Sequence, residues 1–283
     1  MSAHTDGEVL PISPLRTHNL SLGYSKTTII KDFTVEILPN QITVLVGGNG
    51  CGKSTLLKSL ARLLTPLSGD ILLNGDNIHQ QSSKEVARRL AILPQGPVAP
   101  EGLTVEQLVR QGRYPHQNWL QNWRAEDERL VKKALVDTNM LDFAQRTVDS
   151  LSGGQRQRAW IAMALAQDTE ILLLDEPTTY LDLTHQIEIL DLLFDLNQKH
   201  HTTILMVLHD LNLACRYAHQ MIALKNGTIH CQGKPEEILN HEMVQTVFGM
   251  QCYIGQDPLF GTPMCIPYGK GRQLKHDVGR EHD

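Results

Sequence analysis

Residues 15–22 and 33–37 alternate apolar and polar side chains one by one, the period of strands that bury a single face. Residues 41–46, 90–93, 171–174 and 203–208 are instead short, nearly unbroken apolar runs, which suit strands covered on both sides. Residues 70–73 read as one more strand. Between these lie segments with apolar positions three and four apart, at 54–64, 84–89, 105–111, 125–138, 155–166 and 183–197, which predict helices. Residues 221–225 and 228–232 predict a hairpin turned by Asn226-Gly227. Strands separated by helices predict an α/β fold with a mainly parallel sheet, preceded by an N-terminal antiparallel β subdomain. From about residue 95 to 149 the strand signal stops. Polar helices there, joined by an aromatic loop with Tyr114, Trp119 and Trp123, predict an inserted α-helical subdomain at about 96–160. Residues up to about 14 read as a loose tail. After Gly233 come two short helical signals and then a stretch without a clear period. The expected organisation is one domain over residues 15–239 and a C-terminal extension, 240–283, with no assignable role.

Composition narrows the function classes. The 283 residues are 41% hydrophobic and 20% charged, which fits a globular chain and not a disordered one. A net charge of −5 offers no bulk attraction to a polyanion, so nucleic acid is not an expected partner. The five cysteines, Cys51, Cys215, Cys231, Cys252 and Cys265, are widely spaced without a C-x-x-C pair, which predicts reduced thiols and no zinc site. The N-terminus lacks the basic start and apolar run of a signal peptide. No apolar stretch reaches the length that spans a bilayer. A membrane role would therefore require docking on other subunits.

The chemistry gathers in two places. Gly47, Gly48, Asn49, Gly50, Cys51, Gly52, Lys53 and Ser54 match G-x-x-x-x-G-K-[ST] between a predicted strand and a predicted helix, the P-loop of NTPases. Successive backbone N–H groups must wrap phosphate oxygens closely, and side chains on the loop would obstruct them. Lys53 is suited to the β and γ phosphates of ATP, Ser54 to Mg²⁺, and the helix start, with Thr55 next in line, to the anion. Cys51 lies where thiols can be acidified, although a small residue that fits the loop is the simpler reading. Farther on, the apolar run 171–174 ends in Asp175 and Glu176. Asp175 is placed to hold Mg²⁺ through water, and Glu176 to orient or deprotonate an attacking water. An acidic strand end facing solvent is the alternative. Just upstream, Leu151, Ser152, Gly153, Gly154 and Gln155 open a predicted helix, which taken alone is an ordinary capped start.

The order of phosphate loop, Leu-Ser-Gly-Gly-Gln turn and acidic strand resembles the ABC ATPases, over about residues 15–239. The resemblance implies that Leu151, Ser152, Gly153, Gly154 and Gln155 contact ATP held by a second subunit, so that two copies sandwich two nucleotides head to tail. Asp182, after Leu181, resembles the loop at the dimer seam. Tyr24 is similar to the aromatic residue that stacks on adenine, with a plain strand aromatic as the alternative. Gln95 resembles the glutamine that touches Mg²⁺ and links the site to the helical subdomain. His209 resembles the histidine that senses the γ-phosphate and works with Glu176. The sequence departs from the usual pattern at Gly48, where many members have proline, and at Tyr180, where a small residue is common.

Several stretches narrow the resemblance to ATPases of iron–siderophore importers: Gly112-Arg113-Tyr114-Pro115, residues 158–164, Leu181-Asp182-Leu183-Thr184-His185-Gln186, His209-Asp210-Leu211-Asn212 and residues 257–263. This implies a peripheral subunit on the cytoplasmic face of the inner membrane, bound to two integral-membrane permease subunits. An extracytoplasmic substrate-binding protein would be an indirect partner. Residues 95–138 would present the surface that the membrane subunits grip, with ordinary packing of its aromatic residues as the alternative. Cobalamin, haem or another metal chelate are alternative cargoes. A soluble nucleic-acid or ribosome factor and a purely regulatory ATP-binding subunit are rival functions from other classes.

Overall fold

Separate sheets carry the two hydrophobic periods, and a computed structural model describes them through residues 13–25, 27–117 and 123–270. The N-terminal part contains β1 (Leu15–Tyr24), β2 (Thr27–Ile37), β3 (Ile42–Gly47), α1 (Lys53–Leu60), β4 (Ser68–Leu73), β5 (Asp76–Asn77), α2 (Ser83–Ala87) and β6 (Leu90–Leu93). Helices α3 (Val105–Gln111), α4 (Ala125–Asp137) and α5 (Gly153–Ala166) follow without an intervening strand among the described residues. Next come β7 (Ile171–Leu174), α6 (Leu183–His200), β8 (Thr203–Val207), α7 (Leu211–Tyr217), β9 (Gln220–Lys225) and β10 (Thr228–Gly233). The described chain closes with α8 (Pro235–Ile238), α9 (His241–Phe248), β11 (Cys252–Gln256) and β12 (Pro263–Pro267).

The alternating segments form an antiparallel sheet in the order β2-β1-β4-β5. The apolar runs form a six-stranded sheet, β10-β9-β3-β8-β7-β6, parallel throughout except for its β10 edge. Every residue of β3, β7 and β8 is buried, which is why those runs show no alternation. One core cluster lies between the parallel sheet and α3, α4, α5 and α6, and a second joins the antiparallel sheet to α1 and the other sheet face. A buried ion pair ties the helical part together. Arg113 Nε donates to Asp127 Oδ1 at 2.9 Å, and its Nη1 donates to the Ala166 carbonyl at the end of α5 at 2.8 Å.

Several expectations need correction. Ser13 and Pro14 are buried, and the Ser13 hydroxyl donates to the Ile37 carbonyl at 2.8 Å, so the loose tail cannot extend to residue 14. Helix α1 ends at Leu60 and not at 64, because Arg62 turns left-handed (φ 61) and Leu63 N–H reaches back to the Lys58 carbonyl. Helix α2 occupies Ser83–Ala87, fixed by a Ser82–Glu85 capping box, where 84–89 was expected. Within the stretch after α9 that shows no clear period, Cys252–Gln256 and Pro263–Pro267 pair as a β hairpin. Trp119 lies outside the described residues. Trp123 is a packing residue, with the Arg110 guanidinium 4.4 Å over its ring and its Nε1 donating to Glu128, whereas Tyr114 is exposed.

Candidate nucleotide site

Four adjacent strands, β3, β8, β7 and β6, run parallel, and a candidate group follows the C-terminal end of each. The phosphate loop follows β3, His209 follows β8, Asp175 and Glu176 follow β7, and Gln95 follows β6. Parallel strands deliver their C-terminal ends to one crevice, which is how residues up to 162 positions apart come together.

The loop leaves β3 and enters α1 through Gly52 at φ 105, with no side chain capping the helix start. A Cβ on Gly52 would lie 2.5 Å from Ile30 Cδ1, so both the dihedral and the packing on β2 require glycine there. Lys53 is 5% exposed. Its ammonium donates to the carbonyls of Gly47 at 2.8 Å and Gly48 at 3.0 Å, and no carboxylate pairs with it among the described residues. Cys51 is buried beside the second core cluster, and its thiol accepts from the Lys53 ammonium at 3.7 Å. Ser54 Oγ donates to Asp175 Oδ1 at 2.9 Å. Asp175 is 4% exposed, and that burial pushes its carboxyl above the ordinary carboxylate range, against the opposing effect of the Ser54 bond.

Glu176 is the hub of the acidic end. Its Oε2 accepts from Gln95 Nε2 at 2.6 Å and from Thr179 Oγ1 at 2.9 Å, while Oε1 stands 2.6 Å from His209 Nε2. The residue itself is left-handed (φ 54), an unfavourable conformation for glutamate, and the turn is closed by Thr179 N–H on the Glu176 carbonyl. Sequence alone missed Thr179, because a threonine in a turn three residues past an acid is commonplace.

Other candidates stand elsewhere. Ser152 caps α5 through a capping box with Gln155, in which Ser152 Oγ accepts from Gln155 N–H at 3.3 Å and Gln155 Oε1 accepts from Ser152 N–H at 3.1 Å. Ser152 and Gly153 are exposed, Leu151 is buried in the core, and Gly154 faces the His185 ring so closely that a Cβ there would lie 2.3 Å from it. Asp182 caps α6 and accepts from the ring of His185 at 2.8 Å. Tyr24 ends β1 and is 46% exposed. Tyr180 is left-handed (φ 65) and 92% exposed, between Thr179 and the Asp182 cap. The structure thus joins Ser54 to Asp175 and Gln95 to Glu176 and His209. The hydrogen bonds of Ser152, Gln155 and Asp182 stay within their own turns and helix starts.

The candidate metal ligands Ser54, Gln95 and Asp175 supply only hydroxyl, amide and carboxylate oxygens, the donor set of a hard cation such as Mg²⁺. Asp175 also carries the burial penalty that a bound cation would relieve.

The chain matches the family described as ABC transporter over residues 30–179. It is 61% identical over 264 residues to the petrobactin import ATP-binding protein FpuD of Bacillus anthracis, covering 93% of this chain and 97% of that protein. It is 51% identical over 259 residues to the ferric enterobactin transport ATP-binding protein FepC of Escherichia coli, covering 92% and 96%. Its backbone is similar to a chain from a transporter assigned to the metal-chelate type, in an inward-facing conformation, with a TM-score of 0.78, 30% identity and coverage of 91% and 98%. With a phosphate loop, a serine–glycine helix start and an acidic strand end in this order, the chain belongs to the ATP-binding proteins of the ABC transporter family.

Proposed function

We propose that this chain is the ATP-hydrolysing subunit of an ABC importer for an iron–siderophore complex. It would work as a head-to-tail pair beneath two membrane permease subunits, with an extracytoplasmic binding protein upstream. The observation that carries the nucleotide reading is Lys53, a cation buried in a glycine loop and held by two carbonyls and the Cys51 thiol, with no carboxylate beside it among the described residues. A buried charge without a counter-charge is costly, and a polyphosphate at the open start of α1 would supply that counter-charge. Gly47, Gly48, Asn49, Gly50, Cys51, Gly52, Lys53, Ser54 and Thr55 would hold the phosphates, and Tyr24 the adenine. Ser54, Asp175 and Gln95 would hold Mg²⁺, whose positive charge would offset that of the phosphate oxygens. Glu176, oriented by Thr179, Gln95 and His209, would take or steer the proton of the attacking water.

Leu151, Ser152, Gly153, Gly154, Gln155 and Asp182 would serve the nucleotide of the second copy. The exposure of Ser152 and Gly153 supports this, since it leaves them open to a second copy. The helical stretch between β6 and β7 would form the inserted subdomain and face the membrane subunits. No helix among the described residues is long and apolar enough to cross a membrane. The names of the relatives support the iron–siderophore cargo.

Mixing two inactive variants tests the shared site. Lys53→Ala and Ser152→Arg should each abolish ATP hydrolysis alone. Random pairing makes half of the dimers mixed, each with one sound site, so the mixture should return about a quarter of the wild-type rate. A mixture as dead as its parts, or full activity in Ser152→Arg, would overturn the composite site. For the cargo, loss of the gene should stop uptake of radiolabelled ferric siderophore and spare cobalamin uptake; the reverse pattern would replace the proposed substrate.

A further inference from the structure

His209 stands on a three-residue link, Leu208 to Asp210, between β8 and α7, and its side chain is 45% exposed. Its place against Glu176 therefore depends on where β8 ends and where α7 begins. Strand β8 is fixed in the middle of the parallel sheet. Helix α7 has only seven residues, too short to hold its own shape or position in water. Asp210 caps it, with Oδ1 accepting from the N–H groups of Asn212 at 2.8 Å and Leu213 at 3.0 Å, so the histidine is joined directly to the start of the helix.

What holds α7 from outside is the β11–β12 hairpin. Cys265 of β12 presents its backbone to Asn212: its N–H donates to Asn212 Oδ1 at 2.8 Å, and its carbonyl accepts from Asn212 Nδ2 at 3.2 Å. The side-chain amide takes both groups as a neighbouring strand would. One turn on, Arg216 Nη2 donates to Asp257 Oδ2 at 2.6 Å and its guanidinium lies 4.3 Å over the Phe260 ring. Asp257 is fixed in turn, its Oδ1 accepting from the N–H groups of Leu259 and Phe260. Between these two grips, Cys215 of α7 and Cys252 and Cys265 of the hairpin lie in the same buried core. Burial pushes the thiols of Cys215 and Cys265 up, to about 12 and about 11, so these cysteines are packing groups and not reactive ones.

We infer that the C-terminal hairpin is a positioning element for hydrolysis: by gripping α7 at Asn212 and Arg216, it sets where His209 stands against Glu176. Asn212, Arg216 and Asp257 are in this reading positioning residues that act through the histidine. The inference rests on the catalytic reading of Glu176 and His209 above. It gives the C-terminal extension a role that the sequence does not reveal.

The test uses the full-length chain and measures ATP hydrolysis per nucleotide bound, so that loss of folded protein does not count as loss of catalysis. Asn212→Ala and Asp257→Ala should lower kcat per bound nucleotide roughly 10–100-fold, the range for a catalytic group displaced by about 1 Å, with KM for ATP and nucleotide stoichiometry unchanged. Ile266→Ser, on the outward face of the same hairpin, should leave kcat at the wild-type value. Unchanged kcat per site in Asn212→Ala and Asp257→Ala overturns the inference; should the former not fold, the latter decides alone. His209→Ala separates the two readings. If it hydrolyses ATP at full rate, the catalytic assignment fails; if it is inactive while the hairpin variants are normal, only the hairpin's role fails.

Discussion

Lys53 and Asp175 are buried to nearly the same degree, 5% and 4% exposed, and each is held by uncharged partners. The proposed binding of a triphosphate and a divalent cation here would need this arrangement, because a tight lysine–carboxylate pair would satisfy both charges without a ligand. Glu176 differs, since each of its oxygens already meets a donor on the chain's own side. Replacing it with glutamine keeps the shape and removes the basicity. Glu176→Gln should therefore lower hydrolysis about 10²–10⁴-fold with ATP affinity intact, as read by single-turnover assay beside equilibrium binding. At this scale the sequence was informative wherever spacing and chemistry coincide, as at Lys53, Ser54 and Asp175. It could not show Thr179 on Glu176, or His185 behind Gly154, because both contacts depend on how a left-handed turn and a helix start fold back.

Elements show where regular patterns succeed and where they stop. Strands β3, β7 and β8 were legible because all their side chains are buried. The β11–β12 hairpin was not. Few of its residues face the core, Cys252 and Cys265 being the buried apolar ones, and Pro258, Pro263 and Pro267 interrupt any period. In the helical part, Arg113 reads as one residue of a short motif, yet it pins α4 and α5 together. Burial pushes Asp127 up, and the Arg113 guanidinium with the Arg124 N–H more than reverses this, so its carboxyl lies below the ordinary range. Asp127→Asn leaves the guanidinium buried without its counter-charge and should cost about 3–5 kcal/mol, measured from urea midpoints. The hairpin carries its own pH signature. Arg216 holds the Asp257 carboxyl below its usual range, so the contact stabilises the fold above the ordinary carboxylate pKa. That contribution fades as pH falls through the lowered value. The gap in thermal midpoint between wild type and Asp257→Asn should accordingly narrow on acidification.

For the molecule as a whole, alternation along the chain predicted the layers but not the strand order. Nothing in the local pattern says that β3 sits between β8 and β9, or that β6 closes the edge beside β7. Those neighbours are chosen by which helices cover which face, a property of the assembled sheet. Leu45 pairs with Val207, and Leu93 with Leu174, so the crevice proposed for the phosphates is stitched from segments far apart in the chain. Contacts of such long separation form late, after the cost of closing large loops has been met. A nucleotide therefore finds nothing to grip on a half-organised chain and can act only as a lock on the finished one. Adding ATP with Mg²⁺ should slow the opening of the native protein in denaturant-jump experiments and leave the speed of its formation untouched, a clasp fastened after the garment is sewn.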